Sequence, residues 1–249
     1  MNEQSWYRYE QLRPDQLAAC VQRTPVALWP LGLLEHHGWH LPVGFDGVKA
    51  ERLCERLAAR TGGVLLPTMW WGGLGGHGDF LWTLYQPEEA ARAVVVNTVE
   101  HLITFGFRAV VLLMGHYPWE QIAGRELDAV QAAHPEALIL WGTEASIGRP
   151  DVLIPGDHAA REETSYGLAL LPDYVDIGAL KAGHDASAWP QGRPVATDAR
   201  YPGVRYEPAD PLFAQMGEDA RLATAERGNE AITRVVDVLA ARIQAHLGR

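Results

Sequence analysis

Within the twelve residues from Glu35 to Asp46 the chain sets down Glu35, His36, His37, His40 and Asp46, soon after an apolar run that ends at Leu31. Carboxylates and imidazoles are the ligands proteins offer to zinc, manganese and iron. On an extended backbone alternate side chains share a face, so Glu35 and His37 are expected on one side and His36 on the other. Gly38, Pro42 and Gly44 bend the chain, a route by which Asp46 returns to the same point. Glu35, His37 and Asp46 are therefore the candidate metal ligands. His36 is expected to support them from behind, and His40 is open between ligand and such a supporting role. The competing reading is a polar loop with surface histidines.

Three further clusters carry chemistry. His116 directly follows Ala109–Met114, a continuous apolar run, which suits a ligand or a base, or else a cap on the next helix. Asp157 and His158 precede Glu162 and Glu163. There His158 is the candidate for proton transfer, with Asp157 or His77 to orient it, and Glu163 the candidate to complete a metal shell. The alternative is two acids that merely favour a helix N-terminus. Gly73 to Gly78 fits G-x-G-x-x-G, but it runs into Asp79–Tyr85, which looks extended rather than helical. The dinucleotide reading is rejected for that reason, and a substrate-side loop with His77 near the pocket is expected. Nine tryptophans are many. Trp39, Trp82, Trp119, Trp141 and Trp189 fall in or near loops, where aromatics wall small rings as well as pack cores. Trp82, Trp119, Tyr117 and His40 are the candidate substrate contacts. No P-loop, H-E-x-x-H or G-x-S-x-G motif is present.

These clusters need elements to position them. Spacing predicts helices over 11–23, 47–60, 88–105, 119–133, 160–171 and about 217–247, and strands over 26–31, 64–69, 109–114 and 138–141. Strands alternating with helices imply a mainly parallel sheet covered on both faces, with ligands at the carboxyl ends of its strands. The clusters at 35–46, 77–83 and 116–120 follow strand-like runs, and 157–165 opens a helix. Residues 182–211, rich in Pro, Gly and Asp, are expected to form loops.

Composition excludes several classes. A chain of 249 residues, 47% hydrophobic, suits a single α/β domain over 1–249. A net charge of -10 argues against nucleic acid or an anionic membrane as partner. No apolar run approaches the roughly 20 residues of a membrane helix, and the first residues lack a signal-peptide pattern. The two cysteines, Cys20 and Cys54, are expected to be free, buried thiols of a cytoplasmic protein, so a metal must rely on His and carboxylate.

At these residues the sequence resembles the creatininase (creatinine amidohydrolase) family over about residues 10–180. Glu35 to Asp46 looks like its E-x-H-G-x-H-L-P-x-G-x-D signature. His77, Phe80, Thr83 and Leu84 resemble H-x-x-F-x-x-T-L, Gly115-His116 its glycine-histidine, and His158 to Ser165 its H-A-G-x-x-E-T-S, with Ala160 in place of glycine. The resemblance implies a three-layer αβα sandwich, usually a homohexamer, and one or two Zn2+ or Mn2+ ions per subunit, with iron as an alternative. Glu35, Asp46 and His116 would hold one ion, and His37 with bridging Asp46 the second. In creatininase a glutamate two residues after the histidine completes the second site, and here that position is Pro118. Glu163 is its expected substitute, with Glu120 in reserve. The family also includes formamide hydrolases, a peptidase of cofactor maturation and hydrolases that open keto-inositol rings. The expected activity is metal-dependent hydrolysis at the carbonyl of a small ring or amide, with ring opening of a polyhydroxy ketone as the alternative. Two rivals stand beside it: a metal-free α/β enzyme binding an anion on the Gly-rich loop, and an inactive metal-binding member, which Pro118 favours.

Overall fold

A computed structural model describes residues 5–181, 188–189 and 195–249. Five parallel strands lie in the order β1-β3-β2-β4-β5: β1 (Trp6–Arg8), β2 (Val26–Leu31), β3 (Gly63–Leu65), β4 (Ala109–Met114) and β5 (Leu138–Gly142). The central pair β2 and β4 runs in register from Val26 opposite Ala109 to Leu31 opposite Met114, and every residue of both strands is buried. Burial on both faces is why they read as unbroken apolar runs.

The two faces separate by alternation. Val26, Leu28, Val111 and Leu113 pack against α2 (Phe45–Thr61) and α6 (Ala225–Leu247). Ala27, Trp29, Leu31, Val110 and Leu112 pack with residues of α3 (Glu88–Thr104) and α4 (Trp119–Ala133), and Leu17 of α1 (Pro14–Arg23) reaches the same cluster. The result is an αβα sandwich. Each Val or Leu so buried stabilises by roughly 1.5–3 kcal/mol.

Three expectations are corrected. The predicted strand over 64–69 ends at Leu65, and Met69 returns only as a single bridge to Leu31. Residues 79–85 are not extended: Phe80 N–H donates to His77 O and Thr83 N–H to Phe80 O, so the chain turns twice, and Trp82 takes φ +72. The last helix starts at Ala225 rather than near 217, because Thr224 caps it by accepting the Arg227 N–H. β1, three residues long, carried no periodic signal. Of the expected 182–211 loops, 182–187 and 190–194 lie outside the described residues.

A fifth helix, α5 (Arg161–Leu170), crosses α6 tightly: a Cβ on Gly228 would stand 2.0 Å from the Ser165 carbonyl oxygen. That contact and the bond from Thr224 N–H to Ser165 Oγ hold the start of α5, and so Glu163, in place.

Candidate metal centre

β2 and β4 are each followed directly by a glycine, Gly32 and Gly115, and both glycines face the first turn of α2. A Cβ on Gly32 would stand 2.3 Å from Gly47 Cα, and one on Gly115 would stand 2.0 Å from Asp46 O. Only hydrogen fits there, so the helix start drops onto the carboxyl ends of the two central strands and carries Asp46 with it.

Asp46 lies between two imidazoles. Its Oδ1 is 3.0 Å from His37 Nε2 and its Oδ2 is 3.3 Å from His116 Nδ1, while Glu35 Oε2 lies 3.0 Å from the same His116 nitrogen. Glu163 Oε2 is 3.7 Å from His37 Nε2. Three groups of potential ligands result: Glu35–Asp46–His116 and His37–Asp46–Glu163, each with all three residues buried and sharing Asp46, and Glu35–His37–His158, in which His158 is only half-buried. The structure thus brings together the five sequence-predicted candidates, Glu163 among them.

The far nitrogens set the near ones. His116 Nε2–H donates to the carbonyls of Gly73 and Leu74 at 3.1 and 2.9 Å, and His37 Nδ1–H to Glu35 O at 3.1 Å. In the neutral rings the lone pairs then lie on His116 Nδ1 and His37 Nε2, the atoms beside the carboxylates. Glu35 Oε2, Asp46 Oδ2 and His37 Nε2 are buried without a hydrogen-bond partner. Lone pairs gathered without protons between them suit cations, and the residues present fit a divalent ion at each group. Proton affinities report the same field. Burial opposes charge on His37, but Asp46 raises it to about 9, and Glu35 raises His116 well above its ordinary value against the same burial.

Behind the ligands are groups that carried no local signal. Lys49, on α2 and 1% exposed, donates to Glu163 Oε1 at 2.6 Å and Glu144 Oε1 at 2.8 Å. Tyr117 O–H donates to the same Glu144 oxygen. Burial pushes the Glu163 carboxyl up to about 7, against the pull of Lys49. Tyr85 O–H donates to Glu35 Oε1 at 3.1 Å and accepts the His77 N–H. The Gly-rich loop closes over Tyr85, since Cβ atoms on Gly75 and Gly78 would meet its hydroxyl and ring at 2.7 and 2.9 Å. Its glycines therefore let the backbone approach Tyr85 while its carbonyls orient His116.

Glu35, Asp46, His116 and Glu163 open into a pocket of about 260 Å³, also lined by His77, Tyr117, Pro118, Glu120, Asp157 and His158, while His37 lies behind its wall. His158 Nε2–H donates to His36 O at 3.0 Å, leaving Nδ1 as the free lone pair, and its ring stacks on His77 at 3.7 Å. Burial, then the neighbouring His37, hold His158 well below its ordinary pKa, so it is neutral. His36 sits among Trp39, Phe80 and Phe213 and reaches the site through its carbonyl.

Other assignments are corrected. Asp157 does not bond His158: its two oxygens accept the N–H groups of Glu162 and Glu163, capping α5. His77 Nε2–H is taken by Ala214 O, so it meets His158 only ring to ring. Glu120 is tied to Thr143 N–H and Ser146 Oγ and joins neither ligand group. Trp82 is 66% exposed, Trp119 is fully buried with Nε1–H on Gly32 O, and His40 is buried with Nε2 against Thr164 Oγ1; none lines the pocket. Of the four proposed substrate contacts, Tyr117 alone is at the pocket wall. Ala160, in the place of a motif glycine, has φ -103 and is unstrained.

A family model described as Creatininase: Creatinine amidohydrolase matches residues 10–243. The creatinine amidohydrolase of Pseudomonas putida is 26% identical over 71% of this chain and 74% of its own. A 3-dehydro-scyllo-inosose hydrolase of Thermotoga maritima is 26% identical over 93% of this chain and 80% of its own. A crystal structure of creatinine amidohydrolase superposes with a TM-score of 0.73 at 23% identity, covering 96% of both chains. Other solved creatininases include a manganese form and a mutant of Zn–Zn type.

Proposed function

Because the chain belongs to the creatininase family, a family whose curated relatives here are hydrolases, we propose that it is a divalent-metal-dependent hydrolase of a small, uncharged ring or amide carbonyl. The observation that carries this reading is the sharing of Asp46 by two buried ligand groups on the wall that also bears His158. Glu35, Asp46 and His116 would hold one ion and His37, Asp46 and Glu163 another, zinc or manganese. An ion there supplies Lewis acidity, which acidifies water and polarises a carbonyl.

The chain's own part is proton transfer and orientation. Neutral His158 takes the proton of the attacking water at Nδ1, while the His36 carbonyl fixes its ring. It returns that proton to the leaving atom. Tyr85 holds Glu35, and the 73–78 loop holds His116, so neither turns as charge moves. The described pocket wall carries Glu120 and Asp157 but no lysine or arginine, so it offers no basic side chain to an acidic substrate.

A second reading, hydrolytic carbon–carbon cleavage of a cyclic polyhydroxy ketone, is favoured by the Thermotoga relative's match over 93% of the chain. The test is metal-depleted protein, reconstituted with Zn2+ or Mn2+ and assayed against cyclic amides, formamides and keto-inositols. Turnover of one class that vanishes on chelation supports the proposal, and equal turnover without metal overturns it. The same proposal includes a cytoplasmic homohexamer, which sedimentation velocity and cell fractionation check. Among the described residues no helix is long and apolar enough to cross a membrane.

A further inference from the structure

The two ligand groups share Asp46 but differ in what stands behind them. Behind Glu35 is a neutral donor, the Tyr85 hydroxyl. Behind Glu163 is a full positive charge: Lys49 Nζ lies 2.6 Å from Oε1, is 1% exposed, and passes over the rings of Phe45 and Tyr117. Glu163 Oε2, the oxygen facing His37, is also engaged by the Ala159 N–H at 2.8 Å. A cation entering the His37–Asp46–Glu163 group meets a carboxylate already neutralised by a buried ammonium. Lys49 itself is shared with Glu144, so part of its charge is drawn away from Glu163.

We infer that Lys49 makes the two metal sites unequal, with Glu35–Asp46–His116 the tight site and His37–Asp46–Glu163 a loose one whose affinity is set by how much of the Lys49 charge falls on Glu163. This rests on the metal-centre reading above. Repulsion between an ammonium and a divalent ion a few ångströms apart in a buried site amounts to on the order of tenfold or more in affinity. Lys49 is thus a positioning and tuning residue, not one that touches the reacting atoms. It places the second ion under the control of a residue on α2 that lies outside the ligand set.

The experiment titrates Mn2+ into metal-free wild-type protein, Lys49→Met and Glu144→Gln, with calorimetry for affinities and electron paramagnetic resonance for the coupled ion pair. The wild type is expected to bind a first ion at least about tenfold more tightly than a second. Lys49→Met should tighten the second site by about tenfold and bring in the coupled-pair signal at lower metal concentration. Glu144→Gln, which leaves Lys49 wholly on Glu163, should weaken the second site while changing the first less than about threefold. Glu144→Gln retains a carbonyl for Lys49 and Tyr117, so it decides the matter if Lys49→Met fails to fold by circular dichroism. Two equal sites in the wild type, a second site unchanged or weakened in folded Lys49→Met, or one tightened in Glu144→Gln, overturns the role of Lys49. Absence of any Mn2+ binding in the wild type overturns the metal centre itself.

Discussion

The carbonyl oxygen of Asp46 lies 2.0 Å from where a Cβ on Gly115 would stand. The residue that both ligand groups share is thus seated against the end of the central strand by the lack of one methyl group. Gly115→Ala must push α2 away. Overpacking of this kind costs about 1–3 kcal/mol, so the melting temperature should fall and binding of the first ion should weaken at least tenfold or so. Thermal melts with and without Mn2+ check both.

Glu163 and Glu120 both lie on the pocket wall, yet Glu163 alone belongs to a ligand group. Glu163→Gln should reduce metal content from two ions to one, whereas Glu120→Gln should leave it unchanged. Elemental analysis of protein purified with excess Mn2+ measures this, and equal losses in the two variants would count against the assignment.

Removing the phenol oxygen in Tyr85→Phe deprives Glu35 of its donor and His77 N–H of its acceptor. Burial, then Glu35, push this phenol above its ordinary pKa, so it remains a donor at neutral pH. Affinity of the first site should drop on the order of tenfold, the usual effect of losing a group that orients a ligand. Competition with a chelator gives the value.

His158→Gln keeps a side chain of similar reach but cannot shuttle a proton. Turnover should fall roughly a hundredfold or more while metal content stays at the wild-type level. A rate near wild type would remove His158 from the chemistry.

His40 ties stability to pH. Burial, then nearby His37, lower its pKa from near 6.5 to about 3. Between those values the unfolded chain binds a proton that the folded chain does not. The stability contributed by neutral His40 is complete above about pH 6.5 and drains away as pH falls towards 3. From pH 7 to 5 the loss is about 2 kcal/mol. Denaturant titrations of metal-free protein should show His40→Gln flattening the slope by about that amount.

The gathering of the candidate ligands was legible because four of the five carry local signals: Glu35, His37 and Asp46 fall within twelve residues, and His116 follows an unbroken apolar run. The alternation rule placed Glu35 and His37 together and His36 apart, as the structure has them, although no regular strand continues past Leu31. Lys49 and Glu144 were not legible. In a helix marked by Val48, Leu53 and Leu57, Lys49 looks like one more solvated charge, and its partners stand 95 and 114 residues away. Tyr85 was hidden likewise, 50 residues from Glu35 in a segment whose turns read as extended. Asp157 misled because an acid beside a histidine reads as its orienting partner, whereas the nearest unsatisfied donors were the first N–H groups of α5. Trp82 and Trp119 misled because loop proximity says nothing of direction: one faces solvent and the other the core.

The five ligands are drawn from the segment after β2, the start of α2, the end of β4 and the first turn of α5. No stretch of nascent polypeptide short of α5 contains both groups. If both groups hold ions as proposed, the second can fill only after the chain has emerged past Glu163, about two-thirds of its 249 residues, and its crossovers have closed. On that proposal, uptake of the second ion would come late in maturation, and a cell starved of it would accumulate finished but idle molecules.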